Sequence, residues 1–125
     1  MKPVISIIDD DASVREGMVD LLNSMGFIAE AFEDAIEFLN SSRLQCTSCM
    51  IADVQMPGMT GLELCDHLVL AGNVIPAILI TAFPNARDKA RAQRAGVHGY
   101  LAKPFNEDEL LACIHKSLNA DRRRP

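Results

Sequence analysis

Two short apolar runs in this chain end in acid, and those acids are its first offer of chemistry. Cys49-Met50-Ile51-Ala52 runs into Asp53 and then into a loop punctuated by Pro57, Gly58 and Gly61, while Val4-Ile5-Ser6-Ile7-Ile8 runs into Asp9, Asp10 and Asp11. Each run reads as a strand buried on both faces. A carboxylate at the C-terminal end of such a strand either faces the ligand crevice of an open α/β sheet or only caps the next turn, as Asp often does. If the two strands are parallel neighbours, their carboxylates converge, and each like-charge pair at ~4 Å costs about 4 kcal/mol at an effective dielectric near 20. A divalent cation relieves that repulsion. Hard carboxylate oxygens without a soft ligand favour magnesium over zinc, and magnesium typically takes one or two carboxylates plus a phosphate oxygen.

Two later runs bring complementary groups. Pro76-Ala77-Ile78-Leu79-Ile80 ends in the hydroxyl of Thr81, and His98 to Ala102 leads into the ammonium of Lys103. Beside a cation, a hydroxyl and an ammonium supply what a phosphoryl group needs, a hydrogen bond to one oxygen and a positive charge on another.

The elements that must position these groups alternate along the chain. Ser13-Val14-Arg15-Glu16 has the form of a capping box, opening a helix with Val14, Met18, Leu21, Leu22 and Met25 on one face and stopping at Gly26. Phe27 to Phe32 reads as a strand, and Asp34-Ala35-Ile36-Glu37 opens a short helix to about Asn40, followed by a polar loop through Ser48. After the Asp53 strand, Thr60-Gly61-Leu62-Glu63 is another box, whose helix turns Leu62, Cys65, Leu68 and Val69 inward until Gly72. Asn85 caps a fourth helix over Ala86 to Ala95, rich in alanine and crowded with Arg87, Lys89, Arg91 and Arg94, so it is expected to be loosely held. The last helix opens at Asn106-Glu107-Asp108-Glu109 and presents Leu110, Leu111, Ile114 and Leu118 inward. Arg122-Arg123-Arg124-Pro125 reads as a disordered tail.

Five strand-then-helix units on short connections predict parallel strands joined by right-handed crossovers. The expected fold is therefore α/β, a single doubly wound five-stranded parallel sheet in the flavodoxin-like order 2-1-3-4-5 with helices on both faces. That order puts its switch point between strands one and three, the two that end in acid.

Composition narrows the function. A chain of 125 residues forms one domain, and its net charge of −5 argues against nucleic-acid binding by this chain alone. No apolar run reaches the length of a membrane span and no signal-peptide pattern opens the sequence, so a cytoplasmic location is expected. Cys46 and Cys49 form a C-x-x-C pair with neither a second pair nor a histidine at zinc-site spacing, which argues against metal or redox use. His67, His98 and His115 fall on separate elements and read as surface or core residues. Internal repeats, a Walker loop, a nucleophile elbow and a Rossmann glycine fingerprint are all missing from the sequence.

Taken together, Asp9-Asp10, Asp53 with Met56-Pro57-Gly58 and Gly61, Thr81-Ala82, and Lys103-Pro104-Phe105 resemble the receiver domain of two-component response regulators, over nearly the whole chain. Among receivers the chain is most similar to the FixJ-like group, whose members usually carry a helix-turn-helix DNA-binding domain after the receiver. The resemblance implies a receiver over residues 1–120 and a tail or linker start over 121–125. It implies that Asp53 accepts a phosphoryl group from a phosphohistidine on a sensor histidine kinase. Magnesium would be held by Asp10, Asp53 and the backbone carbonyl of Gln55, with Asp9 acting through a water. Lys103 and Thr81 would contact the phosphoryl group, Thr81 and Tyr100 would form the switch, and Pro104 would follow a cis peptide bond. Asp11 matches no family position and is expected to be a solvated charge ahead of a Ser13 cap. Gln55 and Phe83 occupy positions where the family varies and where side chains govern water access to the acyl phosphate. Family members dimerise on activation, which implies a phosphorylation-dependent homodimer through the fourth helix, fifth strand and fifth helix. Output would be transcriptional, through a further domain, or by docking of a single domain.

Two other classes compete. Asp9-Asp10-Asp11 contains the D-x-D of haloacid-dehalogenase-type phosphatases, with Asp9 as nucleophile. Against that stand the small size, the missing cap domain, the missing acidic pair after the lysine, and the Asp53 loop, left without a role. The third class is a binding domain whose acids are structural.

Overall fold

The computed structural model of the chain describes residues 2–120. The expected tail at 121–125 lies outside the described residues, and so does Met1. Five strands form one parallel sheet: β1 (Val4–Ile8), β2 (Ile28–Phe32), β3 (Cys49–Asp53), β4 (Ala77–Thr81) and β5 (Gly99–Ala102), in the order β2-β1-β3-β4-β5. Between and after them come α1 (Ala12–Ser24), α2 (Ala35–Leu39), α3 (Gly61–Leu70), α4 (Ala86–Arg94) and α5 (Glu107–Ala120). Fold class and strand order are those expected from the alternation of elements.

The central strands are apolar because both of their faces are covered. Every residue of β3 and β4 is buried. On one face Ile5, Ile7, Ile51, Ile78 and Ile80 pack with Met18 and Leu22 of α1 and with Leu110, Ile114 and Leu118 of α5. On the other, Ile8, Met50, Ala52 and Leu79 pack with Phe32 and Phe38, with Leu62, Leu64, Cys65 and Leu68 of α3, and with Ala92 of α4. Burial pushes the Cys65 thiol up to about 12, with the Asp66 charge adding to the effect. No helix among the described residues is long and apolar enough to cross a membrane.

Four local expectations change. Leu111, expected on the inner face of α5, is only partly buried, because the buried stripe of that helix runs through Leu110, Ile114, Ser117 and Leu118. Helix α1 starts at Ala12, and its cap is Asp11, whose side chain accepts the N–H groups of Ser13 (2.8 Å) and Val14 (3.2 Å). Asp11 is thus neither idle nor followed by a Ser13 cap; as a strong N-cap residue it claims the helix start two positions earlier. Val69 is 63% exposed. The inner stripe of α3 is centred on Gly61, Leu64, Cys65 and Leu68, and Val69 falls on its flank. The loop before β3 contains a 3-10 turn at Leu44–Cys46, and the Thr47 hydroxyl that follows it lies 2.7 Å from that of Ser6 in the core. The Thr60–Glu63 capping box forms in both directions, and the helix stops fall before Gly26, Gly72 and Gly96 as expected.

Candidate functional site

The C-terminal ends of β1, β3, β4 and β5 bring the acids, hydroxyl and ammonium to one rim. Asp9 follows the last residue of β1 and is fully buried, Asp53 closes β3 and is 6% exposed, and Asp10 is exposed. One carboxylate oxygen from each lies within 4.8 Å of the others. Cross-strand hydrogen bonds continue beyond the strand ends and hold the rim in register: Asp9 N–H to Phe32 O, Val54 N–H to Ile80 O, and Lys103 N–H to Thr81 O at 2.7 Å.

Each buried carboxylate has one oxygen fixed by backbone and the other facing Lys103. Asp53 Oδ1 accepts the Gln55 N–H at 2.9 Å, and Asp9 Oδ1 accepts the Asp11 N–H at 2.9 Å. Lys103 Nζ donates to Asp53 Oδ2 at 2.8 Å and to Asp9 Oδ2 at 3.5 Å. Burial raises the Asp9 carboxyl above its ordinary value, against the Asp11 N–H and the Lys103 charge, which pull it down. For Lys103, burial acts to lower the ammonium, but the hydrogen bond to Asp53 and the charges of Asp9 and Asp53 outweigh it and hold it above the usual lysine value. The Lys103–Pro104 peptide bond is cis.

Thr81 is fully buried at the end of β4. Its hydroxyl donates to Gln55 Oε1 at 2.7 Å and accepts the Phe83 N–H at 3.0 Å. Tyr100, one strand over, is partly buried, and its hydroxyl accepts the Asn85 N–H at 3.3 Å. Gly61 packs against the back of the site: a Cβ there would sit 2.5 Å from the Asp53 carbonyl oxygen, so only glycine lets α3 start this close to the β3 end.

The structure therefore brings Asp9, Asp10, Asp53 and Lys103 together and sets Thr81 beside Gln55. Sequence reasoning missed three contributors. Arg15 donates to the Asp9 carbonyl at 2.8 Å, the Gln55 amide takes the Thr81 hydroxyl, and Asn85 joins the α4 cap to Tyr100. Nothing in local spacing signals such pairs, since each spans separate elements. Cys46 is exposed and Cys49 is buried in β3, away from the acidic group. His67 and His115 are exposed, and His98 is half-buried, with burial and the Lys116 charge lowering its pKa.

Comparison with known proteins agrees with this geometry. The sequence pattern of the response regulator receiver domain matches residues 5–115. The chain is 34% identical to Nodulation protein W of Bradyrhizobium diazoefficiens over 123 residues, which is 98% of the chain and 54% of that protein. It is 38% identical to the response regulator protein TodT of Pseudomonas putida over 115 residues, 92% of the chain and 51% of TodT. The chain thus spans about half the length of the curated relatives it matches. Among solved structures, response regulator StyR superposes with a TM-score of 0.90 at 40% identity, covering 99% of the chain and 63% of StyR. The FixJ-N crystal structure gives 0.85 at 25% identity, covering 96% of each. The phosphatase reading with Asp9 as nucleophile finds no support in these likenesses, and it leaves the Asp53 contacts to Lys103 and Gln55 without purpose. A match running through both acid-tipped strands, Thr81 and Lys103 makes this chain a member of the response regulator receiver domain family.

Proposed function

We propose that Asp53 is the phosphoacceptor of a two-component signalling protein, taking its phosphoryl group from a phosphohistidine on a sensor histidine kinase in the cytoplasm. The observation that carries the reading is the asymmetric setting of the Asp53 carboxylate, one oxygen on the Gln55 N–H and the other 2.8 Å from Lys103 Nζ. An Asp53 oxygen would attack phosphorus as the bond to the histidine nitrogen breaks, leaving neutral imidazole and an acyl phosphate. Lys103, already in contact with Asp53 Oδ2, can follow the charge as it spreads onto the transferred oxygens.

The donor set fits magnesium: three carboxylates converge, and among the described residues no cysteine or histidine joins them. Asp10, Asp53 and the Gln55 backbone carbonyl would hold the ion, with Asp9 holding one of its waters. When bound, the ion supplies positive charge that offsets the carboxylate repulsion and polarises the phosphoryl oxygens. Thr81 would bond a phosphoryl oxygen, and Tyr100 would turn inward behind it.

The test is incubation with magnesium and acetyl phosphate, with the adduct mapped by mass spectrometry. One phosphoryl group on Asp53, lost in Asp53→Asn, is expected; an adduct on Asp9 would overturn the assignment. The relatives' greater length fits a transcriptional output through a further domain.

Dimerisation on phosphorylation would use α4, β5 and α5, where exposed Arg87, Lys89 and Arg94 can meet Glu107, Asp108 and Glu109 of a second copy. Arg91 is already engaged by Asp66 within the chain, so it contributes less to that pairing. Light scattering should show a phosphorylation-dependent dimer, and a phosphorylated chain that stays monomeric at high micromolar concentration would favour docking to a separate partner.

A further inference from the structure

The Thr81 hydroxyl has one proton, and in this structure that proton is already committed. A hydroxyl donates once and accepts twice. Phe83 N–H occupies one acceptor position at 3.0 Å, and the proton goes to Gln55 Oε1 at 2.7 Å. One proton cannot be given to both Gln55 Oε1 and a phosphoryl oxygen. Threonine is also stiff about χ1: the proton can turn about the Cβ–Oγ1 bond, but carrying the hydroxyl oxygen itself toward a phosphoryl group means leaving one χ1 rotamer for another. The backbone of Gln55, meanwhile, is fixed by its N–H bond to Asp53 Oδ1. One residue therefore touches the acceptor carboxylate through its main chain and the Thr81 hydroxyl through its side chain.

We propose that Gln55 is a positioning residue, holding the Thr81 hydroxyl in its resting rotamer so that the Gln55 amide and an incoming phosphoryl group compete for one proton. This rests on the reading of Asp53 as phosphoacceptor and adds to it a restraint that sets how far each phosphoryl group shifts the switch. The restraint is releasable because Gln55 is solvent-exposed. When Thr81 turns away, water satisfies the freed amide, so the net loss is small compared with leaving a buried acceptor unpaired.

The test begins with unphosphorylated protein. Three-bond NMR couplings at Thr81 report its χ1 populations directly. Wild type is expected to occupy one rotamer. Gln55→Met keeps the side-chain length but removes the acceptor, and should raise the minor-rotamer population roughly fivefold, as the loss of one ordinary hydrogen bond implies. Gln55→Glu retains an acceptor oxygen and should keep the wild-type distribution; a changed distribution in Gln55→Met beside an unchanged one in Gln55→Glu is the pattern that a purely steric role for Gln55 would not produce. Gln55→Ala repeats the removal without adding volume, in case Gln55→Met does not fold. Rotamer populations unchanged in both Gln55→Met and Gln55→Ala would overturn the proposal.

A second measurement uses the single tyrosine, since with no tryptophan in the chain the intrinsic emission reports Tyr100 alone. In samples matched for phosphoryl content by intact mass, the change in Tyr100 emission per phosphoryl group should be larger in Gln55→Met than in wild type; an equal change would overturn the coupling to the switch. If wild type takes no phosphoryl group at Asp53, the phosphoacceptor reading fails at the mass measurement. The rotamer experiment still decides whether Gln55 holds Thr81.

Discussion

Helices α4 and α5 flank the same edge strand, β5, and they are anchored very differently. Helix α5 buries Leu110, Ile114 and Leu118 against the isoleucines of β1, β3 and β4. Helix α4 buries Ala92 alone, with Arg87, Lys89 and Arg94 in solvent. What else holds α4 is polar: the Asn85 cap, which accepts the Asp88 N–H at 2.8 Å, and the Arg91–Asp66 ion pair at 2.7 Å to α3. Asn85 in turn donates its N–H to Tyr100. Hydrogen bonds thus lead from Thr81 to Phe83 and from Phe83 to Asn85, which also meets Tyr100, and so end at the cap of the weakly anchored helix, while α5 gives the sheet a fixed back. The proposed switch needs that inequality, because an element that moves must come from the low-stability end of the structure.

The largest test of the comparison is to weaken the anchored side. Ile114→Ala deletes a fully buried side chain from α5 and is expected to cost about 2–5 kcal/mol by denaturant unfolding. A loss below about 1 kcal/mol would mean that α5 repacks freely and is no better held than α4.

How much of this could be read from the sequence divides along the same line. The apolar runs ending in Asp9, Asp53 and Thr81, and Leu110, Ile114 and Leu118 of α5, were legible because burial on a sheet or helix face imposes a period on the residues. The carboxylate cluster followed from the strand order alone, since β1 and β3 are neighbours. The Asp11 cap was misplaced because Ser13 and Asp11 are equally good caps and both precede apolar positions. Val69 was misplaced because it stands four residues after Cys65, at helical spacing, while the inner stripe is centred on Gly61, Leu64, Cys65 and Leu68. The Gln55–Thr81 bond and the Arg91–Asp66 pair were not legible at all. Each joins polar residues at least 25 positions apart on separate elements, and such a pairing leaves no period in either segment.

The face beneath α3 and α4 should also yield first at alkaline pH. The buried Cys65 thiol holds its proton to about 12 in the fold, against an ordinary value of 9.0. Between those values the folded chain binds more protons than the unfolded one, so stability falls as pH rises, by at most about 1.4 kcal/mol per pH unit for one group. Lys103 and Cys113, both raised, act in the same direction. Cys65→Ala isolates the buried thiol: its stability should decline less than wild type's between pH 9 and 12. Parallel decline of the two proteins would mean that the thiol is wet and that this face is more open than its packing shows.

The smallest effect discriminates best. The Arg91–Asp66 pair is short, but its side chains are 43% and 49% exposed, and such pairs contribute about 0–1 kcal/mol in water. Arg91→Ala should therefore barely change the global melting temperature. Its effect should be local, because α4 has only Ala92 in the core and the pair is its side-chain ion pair to α3. Hydrogen exchange at the α4 amides is expected to speed up several-fold, while exchange in α5 stays at the wild-type rate because it requires breaking the packing around Ile114 and Leu118. Added salt should shrink the difference between wild type and variant, since the pair lies in solvent and is screened. If α4 and α5 instead exchange at the same rate in wild type, or if Arg91→Ala accelerates both equally, the two helices open together and the weakly held helix cannot be the element that carries the signal away from Thr81.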